Sequence, residues 1–444
     1  MNPPLYKGTL LFGATSEMQA DPLAFYQKIH RELGHVVHIR TVPGFDFYSV
    51  AGPEGVEHIL RTNQNNYPKP QIFLDAVSPL TGWGLFTNQG DHWHQQRRMM
   101  APSFHHRRVA EMMDIMKEET EKIIDRWKNK AEKGQSINLK QEMMILTMNI
   151  ASRSLFSTDV SMGAGEIGEA VRTAFEYVGY RLNNPFSFSE MLLGKRKKKF
   201  EKAKKVLDET VLGIVEKRRK SGNLGNDILG MLLEAKDEET GQGMSDELLR
   251  DEMLTLLIAG HETTAAALTW AWYLMVKNPD KGAIFRENIE NKIEEEKEKP
   301  FVDYARMVFE ESMRLYPPAW GVPRFSLEDD EIEGYQIKKG KVINISFWSM
   351  FRDPEIWENP DAFIPERFSV EKKKILPRAA FIPFGLGKRQ CIGLNMAMIE
   401  GPLILEMLAK QFQLSLVDEA EEVKLDATFA LHPLREMRMN IGVI

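Results

Sequence analysis

The stretch from Ser245 to Lys277 restricts the possible folds more than any other. Ser245 followed by Asp246 and Glu247 has the form of a helix N-cap with an acidic first turn. Continued to about Lys277, the helix would hold roughly 30 residues and span about 45 Å, enough to cross a domain. Its centre is apolar nearly all round, from Met253 to Ile258 and from Ala265 to Trp272. Into that centre the sequence sets Ala259-Gly260-His261-Glu262-Thr263-Thr264. A carboxylate and hydroxyls buried there cost several kcal/mol unless they are satisfied. A structural hydrogen bond or a helix bend is one account of them; a polar function built into the core is the other. The lone His261 reads as a packing residue rather than a ligand.

At 444 residues the chain is longer than one ordinary domain, although a single large core wrapped around a cofactor could also hold it together. Hydrophobic residues make up 43% and charged residues 27%, inside the globular range and outside the disordered one. The net charge of −6 gives no whole-molecule reason to expect nucleic acid or an anionic membrane as partner. The basic run from Lys195 to Lys199, continuing to Lys205, reads as a solvated loop and helix start, and Glu294 to Lys299 as an exposed helix end. A single cysteine excludes an intramolecular disulfide and a thiolate zinc cluster and suggests a reducing compartment. Met1 to His30 lacks the apolar run of a signal peptide. No segment reaches the roughly 18 uninterrupted apolar residues of a spanning helix. A cytoplasmic protein without a membrane anchor is expected.

Along the chain, His35 to Ala51 has the pattern of a β-hairpin broken at Pro43 and Gly44. From Trp93 the spacing turns helical, as in Met112, Met116, Ile123, Ile124 and Trp127, and helices dominate to about Glu311. Tyr335 to Phe347 reads as strand, turn, strand around Gly340, and Phe412 to Ile444 again looks strand-like, with Pro433 as a breaker. No repeat or low-complexity linker marks a boundary. The expectation is a mainly α single domain over residues 1–444 with a smaller β-rich region.

A lone cysteine is usually an inert small hydrophobe. Cys391, however, closes the loop Pro383-Phe384-Gly385-Leu386-Gly387-Lys388-Arg389-Gln390-Cys391-Ile392-Gly393, and Leu394 to Leu408 follows as an apolar-periodic helix. A sulfur just before a helix N-terminus meets backbone N–H groups that stabilise a thiolate and lower its pKa. Glycines at 385, 387 and 393 would allow positive φ and close approach to a flat ligand. Arg389 stands ready for an anion.

Phe384, Gly387, Arg389, Cys391 and Gly393 resemble the haem-binding loop of the cytochromes P450 at every defining position. That resemblance, extending from about Pro22 to the C-terminus, implies the P450 fold with haem b, Cys391 as the iron ligand, Phe384 packed near the sulfur and Arg389 on a haem propionate. Ala259 to Thr264 is similar to the family's oxygen-binding groove, so Thr263 would hold the bound oxygen and Glu262 would relay protons. Trp93 and Arg97, one helical turn apart, and Arg324 match further propionate contacts. Glu311, Arg314 and Arg367 would form a buried structural charge network. Ile72, Phe73, Leu74, Leu85 and Phe86 fall in the family's substrate-contacting loop, and Ala319 and Val322 in a second lining segment. Ordinary core packing accounts for these residues equally well.

The implied activity is insertion of one oxygen atom from O2 into an apolar substrate, with fatty acids or similar hydrocarbons expected. Weak similarity to soluble bacterial fatty-acid hydroxylases around Gly84 to Thr87 and Ala259 to Thr264 underlies that choice. With no flavin or ferredoxin module in the chain, electrons would come from a separate ferredoxin- or flavodoxin-type system. A peroxygenase or isomerase of the same fold would often lack the acid–alcohol pair, and a non-catalytic haem sensor would have no use for a proton relay. Two features depart from the pattern: the connection from Pro279 to Tyr304 is short, and Met350-Phe351 stands where histidine is frequent.

Overall fold

The computed structural model describes residues 1–157, 166–183, 190–294, 304–420 and 422–444. The central helix is Asp246–Lys277, and the Ser245 hydroxyl accepts from the Leu248 N–H at 3.1 Å, so the capping signal marks its true start. A helix apolar on every side can only be buried on every side. Leu139–Phe156, Glu190–Ser221, Tyr304–Leu315 and Leu394–Ala409 all pack against it. The Thr147 hydroxyl, which donates to the His261 carbonyl at 2.8 Å, ties the first of these to the helix centre.

The β-rich part is a five-stranded sheet in the order Leu5–Tyr6, Val36–Arg40, Asp46–Val50, Val342–Ser346, Gly321–Phe325. The expected hairpin is present, with Val36 opposite Val50. Tyr335–Ile337 and Val342–Ser346 are both strands but are not partners. The first pairs with Asp330–Ile332, and the second is inserted between Asp46–Val50 and Gly321–Phe325. At the C-terminus Phe412–Leu416 and Arg438–Val443 are antiparallel, and Ile137–Asn138 adds a third strand. Pro433 sits in the two-residue strand His432–Pro433, where a missing N–H costs little.

The basic residues Lys195 to Lys199 are exposed as expected, but they lie within the helix Glu190–Ser221 rather than in a loop. The run after Glu294, and with it much of the short connection to Tyr304, falls outside the described residues. Among the described residues no helix is long and apolar enough to cross a membrane.

Candidate active site

The cysteine loop is shaped by two left-handed glycines. Gly385 and Gly387 have φ of 72° and 75°, and a Cβ on Gly387 would stand 2.2 Å from the Leu60 carbonyl oxygen. Gly393 departs from expectation: with φ −82° it is an ordinary N-cap to the helix Leu394–Ala409. The Cys391 N–H donates to the Phe384 carbonyl at 2.8 Å, which closes the loop. The Cys391 side chain is accessible although protein surrounds the sulfur, so it fronts an interior space. Burial pushes its thiol pKa up, against the opposing pull of the Gly393 N–H, the Arg97 charge and the Leu394 N–H. The helix N-terminus therefore does not by itself make a thiolate here, as the sequence suggested it would. Desolvation outweighs it, and a metal bound at this sulfur would strip the proton.

Four cations gather within reach of one another, and one of them, Arg97, also acts on the sulfur. Arg97 and Trp93 come from the helix Gly90–Met100, Arg324 from the strand Gly321–Phe325 and Arg389 from the cysteine loop. The fourth, Lys69, was not found by sequence reasoning; a lysine between Pro68 and Pro70 carries no motif. The Arg389 guanidinium lies 3.9 Å from the Trp93 ring centroid and donates to the Asn88 carbonyl at 2.8 Å. Lys69 donates to the Phe86 carbonyl, with its ammonium 4.4 Å from that ring centroid. Burial brings Arg324 and Arg389 down to about 10, and Arg389 also feels Arg324 and Arg97. Burial, then Arg324 and Arg389, hold Lys69 well below the ordinary lysine value. Among the described residues none of these four cations pairs with a carboxylate, and the hydrogen bonds of Arg389, Lys69 and Arg324 go to backbone carbonyls. Buried like charges without counter-ions are costly. A ligand bearing two carboxylates, with a metal for the accessible sulfur, is what this donor set fits, and haem b has that chemistry.

Part of the polar insertion in the central helix is accessible, against an otherwise buried helix centre. Ala259 and Gly260 are exposed and Glu262 and Thr263 partly so, within a helix whose flanking residues Ile258, His261 and Ala265 are buried. A Cβ on Gly260 would meet only the Ala151 methyl at 3.9 Å, so no close neighbour demands glycine and the position leaves room. The Thr263 hydroxyl donates to the Ala259 carbonyl at 2.8 Å, which satisfies its proton and leaves its lone pairs as acceptors. A purely structural account thus suffices for Thr263. It fails for Glu262, whose Oε2 is buried with no hydrogen-bond partner and whose Oε1 lies 3.6 Å from His432 Nε2. His261 is fully buried, with Nδ1 against the Leu257 carbonyl at 2.8 Å.

The sequence model of the family described as Cytochrome P450 matches residues 3–437. The chain belongs to the cytochrome P450 family. It is 31% identical over 414 residues to cyclooctatin synthase of Streptomyces melanosporofaciens, covering 92% of this chain and 88% of that one. With cyclooctat-9-en-7-ol 5-monooxygenase from the same organism it shares 30% identity over 91% of this chain and 87% of the other. The crystal structure of a cytochrome P450DA heme domain superposes with a TM-score of 0.89 at 24% identity, over 100% of this chain and 98% of that chain, and shows the same fold. This P450 is a monooxygenase that carries haem b.

In this P450 the segment from Ile72 to Leu74 lies on the helix Gln71–Thr81 rather than in a loop, with Leu74 buried and Ile72 exposed. Phe73 and Phe86 meet edge to face at 5.8 Å, while Ala319 and Val322 are part-buried. Two carboxylates of the central helix clamp the following turn: Trp83 N–H donates to Asp251 Oδ2 at 2.7 Å and Leu85 N–H to Glu252 Oε2 at 2.9 Å. Burial, helped by the Asp251 charge and opposed by the Leu85 N–H, raises the Glu252 carboxyl to about 8. Sequence reasoning missed this clamp, because a carboxylate bonded to backbone 167 residues away leaves no local pattern.

The P450 charge network is present and buried. Arg314 holds Glu311 through two bonds of 2.7 and 2.8 Å with both side chains fully buried, and Arg367 Nε stands 3.5 Å from Glu311 Oε1. Where histidine is frequent in the family, Met350 and Phe351 are both fully buried. Phe351 stacks on Phe347 at 5.7 Å and gives its carbonyl to Arg314 at 2.8 Å.

Proposed function

We propose that this P450 inserts one oxygen atom into a largely hydrocarbon substrate of the terpenoid alcohol class, with Cys391 as iron ligand and Thr263 and Glu262 handling protons. Supporting the substrate class is the name of a relative at 30% identity, which specifies oxidation of cyclooctat-9-en-7-ol. The side chains of Phe73, Leu74, Leu85, Phe86, Ala319 and Val322 add support: they are uncharged, so they favour hydrocarbon and offer a fatty carboxylate no counter-ion. When bound, haem supplies the iron at which dioxygen is reduced, and thiolate donation favours O–O cleavage. Arg97, Arg324, Arg389 and Lys69 would hold its propionates, Trp93 would brace Arg389, and Phe384 would pack beside the sulfur. Ala259 and Gly260 leave space on the central helix, and Thr263, with its own proton engaged by Ala259, offers lone pairs to a proton donor. Glu262 carries protons toward that hydroxyl. In this reading residues 1–444 act as one domain in the cytoplasm, supplied with electrons by a separate ferredoxin- or flavodoxin-type system.

The observation that carries the proton assignment is the buried, unpartnered Glu262 Oε2 in an apolar helix. Thr263→Ala should keep its haem and continue to consume NAD(P)H with a surrogate reductase. Product per NAD(P)H should fall about tenfold or more, with peroxide appearing instead, because one positioned proton-transfer group is worth about 10²-fold or more and water replaces part of it. Oxidation driven by added peroxide should suffer less. Unchanged coupling would remove the reason for assigning Thr263 this work. For the substrate, a screen of haem spectral shifts should give tighter binding for terpenoid alcohols than for fatty acids of equal carbon number. The reverse order would restore fatty acids as the substrate class.

A further inference from the structure

We infer that His432 is the positioning residue through which Glu262 exchanges protons with solvent. This rests on the reading of Glu262 as a proton carrier and extends it to the group behind the carboxylate. His432 is buried, with neither Nδ1 nor Nε2 hydrogen-bonded, and its Nε2 is 3.6 Å from Glu262 Oε1. His30, another buried histidine, has both nitrogens satisfied, with Nδ1 at 2.9 Å from the Gly34 carbonyl and Nε2 at 2.8 Å from Ser49 Oγ. His432 has no such partners, yet its backbone is held from three directions. The Trp270 indole donates to the Leu431 carbonyl at 2.8 Å, Lys140 Nζ donates to the Pro433 carbonyl at 3.2 Å, and the residue pairs with Asp426 across a two-stranded ladder. A ring carried on backbone fixed this firmly beside a carboxylate, with neither nitrogen hydrogen-bonded, is arranged for proton exchange rather than for packing.

The space around it supplies the route. His261, Glu262 and His432 line one cavity of about 1360 Å³. Exposed Glu169, Lys199, Arg435 and Glu436 line it too, so buried groups and solvent-facing ones share one space. The His261 Nδ1 faces the Leu257 carbonyl and burial lowers its pKa, so the ring stays neutral and Nε2, which has no partner, presents a lone pair. Unpartnered Glu262 Oε2, His261 Nε2 and both His432 nitrogens are thus the polar atoms among which bridging waters would order. The other charges on this cavity come from every wall. Lys140 stands on the helix Leu139–Phe156, where burial lowers its pKa while Asp426 and Glu262 oppose the fall. Asp426 stands opposite His432. The helix Glu166–Asn183 brings Arg172 and Glu176 besides Glu169, and Glu190–Ser221 brings Arg196 besides Lys199. The Lys140 ammonium is committed to the Pro433 carbonyl at 3.2 Å and shows no contact with the Glu262 carboxylate closer than that of His432. The His432 ring, with both nitrogens unpartnered and Nε2 beside Glu262, can take a proton on one nitrogen and give one up from the other, which makes His432 the relay and Lys140 its support.

The test uses holoenzyme of wild type, Glu262→Gln and His432→Gln, the last keeping bulk and hydrogen-bonding capacity without proton exchange. In the diamagnetic reduced CO complex, ¹³C-histidine NMR identifies the His432 signal by its loss in His432→Gln. Removing the Glu262 charge should then measurably lower the His432 titration midpoint, since a carboxylate 3.6 Å away favours the protonated ring. With a substrate from the spectral screen, His432→Gln should bind haem and substrate normally but lose the wild-type pH dependence of product per NAD(P)H, and its solvent isotope effect should rise. An unmoved His432 midpoint in Glu262→Gln would show that the two groups do not sense each other and would overturn the inference. Wild-type coupling in His432→Gln together with impaired coupling in Glu262→Gln would overturn the inference alone and leave Glu262 its role. Wild-type coupling in Glu262→Gln would remove both.

Discussion

Cys391→Ser is expected to abolish the red-shifted Soret band of the reduced CO complex completely. The band reports thiolate donation to iron, and serine offers only an alcohol or alkoxide, a poorer match for the metal. No other residue can step in, since Cys391 is the only cysteine in the chain. The loop itself should survive the change. Its shape depends on Gly385 and Gly387 at positive φ and on the backbone bond from residue 391 to the Phe384 carbonyl, none of which involves sulfur. Circular dichroism should therefore match wild type while the CO difference spectrum changes entirely. Haem retention should fall too, because on the proposed reading the four cations would still meet the propionates while the iron lost its protein ligand. A variant that kept the thiolate spectrum would sink the assignment of Cys391.

How much of this was legible in the sequence depended on whether the determining interaction was local. Ser245 and its acidic first turn marked the start of the central helix because an N-cap bond spans three residues. The hairpin at His35 to Ala51 and the helix after Cys391 were likewise written in neighbouring residues. The pairing of Val342–Ser346 was not, because its partners are strands near residues 48 and 323 and a strand's own alternation does not say which edge it joins. Lys69, the Asp251–Glu252 clamp and His432 escaped for the same reason. Each matters through a partner far along the chain, and a lysine, an acid or a histidine at such a place looks like any other. The Cys391 thiol was misjudged differently. Helix position is legible, but the depth of burial that outweighs it belongs to the packed fold.

Loss of either partner of the Glu311–Arg314 pair should cost nearly all the holoprotein. The guanidinium does more than neutralise the carboxylate. Besides its two bonds to Glu311, it donates to the carbonyls of Phe351, Pro360 and Ala362 at 2.8, 2.6 and 3.1 Å, while Glu311 Oε1 also accepts the Ile364 N–H at 2.9 Å. The pair thus pins the backbone of the segment that leads toward the cysteine loop. Arg314→Ala leaves Glu311 buried without its principal counter-ion and frees three carbonyls. Breaking a buried pair in this way costs about 3–5 kcal/mol. That is a large part of the roughly 5–15 kcal/mol that holds a typical domain together. Arg314→Lys should rescue little, since an ammonium cannot span a carboxylate and three carbonyls with a planar fork. Arg367→Ala should be milder, because its Nε lies 3.5 Å from Glu311 and Arg314 remains to neutralise the acid. The double variant Glu311→Ala with Arg314→Ala should lose less than the sum of the singles, because no lone charge is left behind. Haem-to-protein ratio and the urea midpoint of each purified variant measure these differences. Normal yield and haem content in Arg314→Ala would mean that the pair contributes nothing to holding the fold.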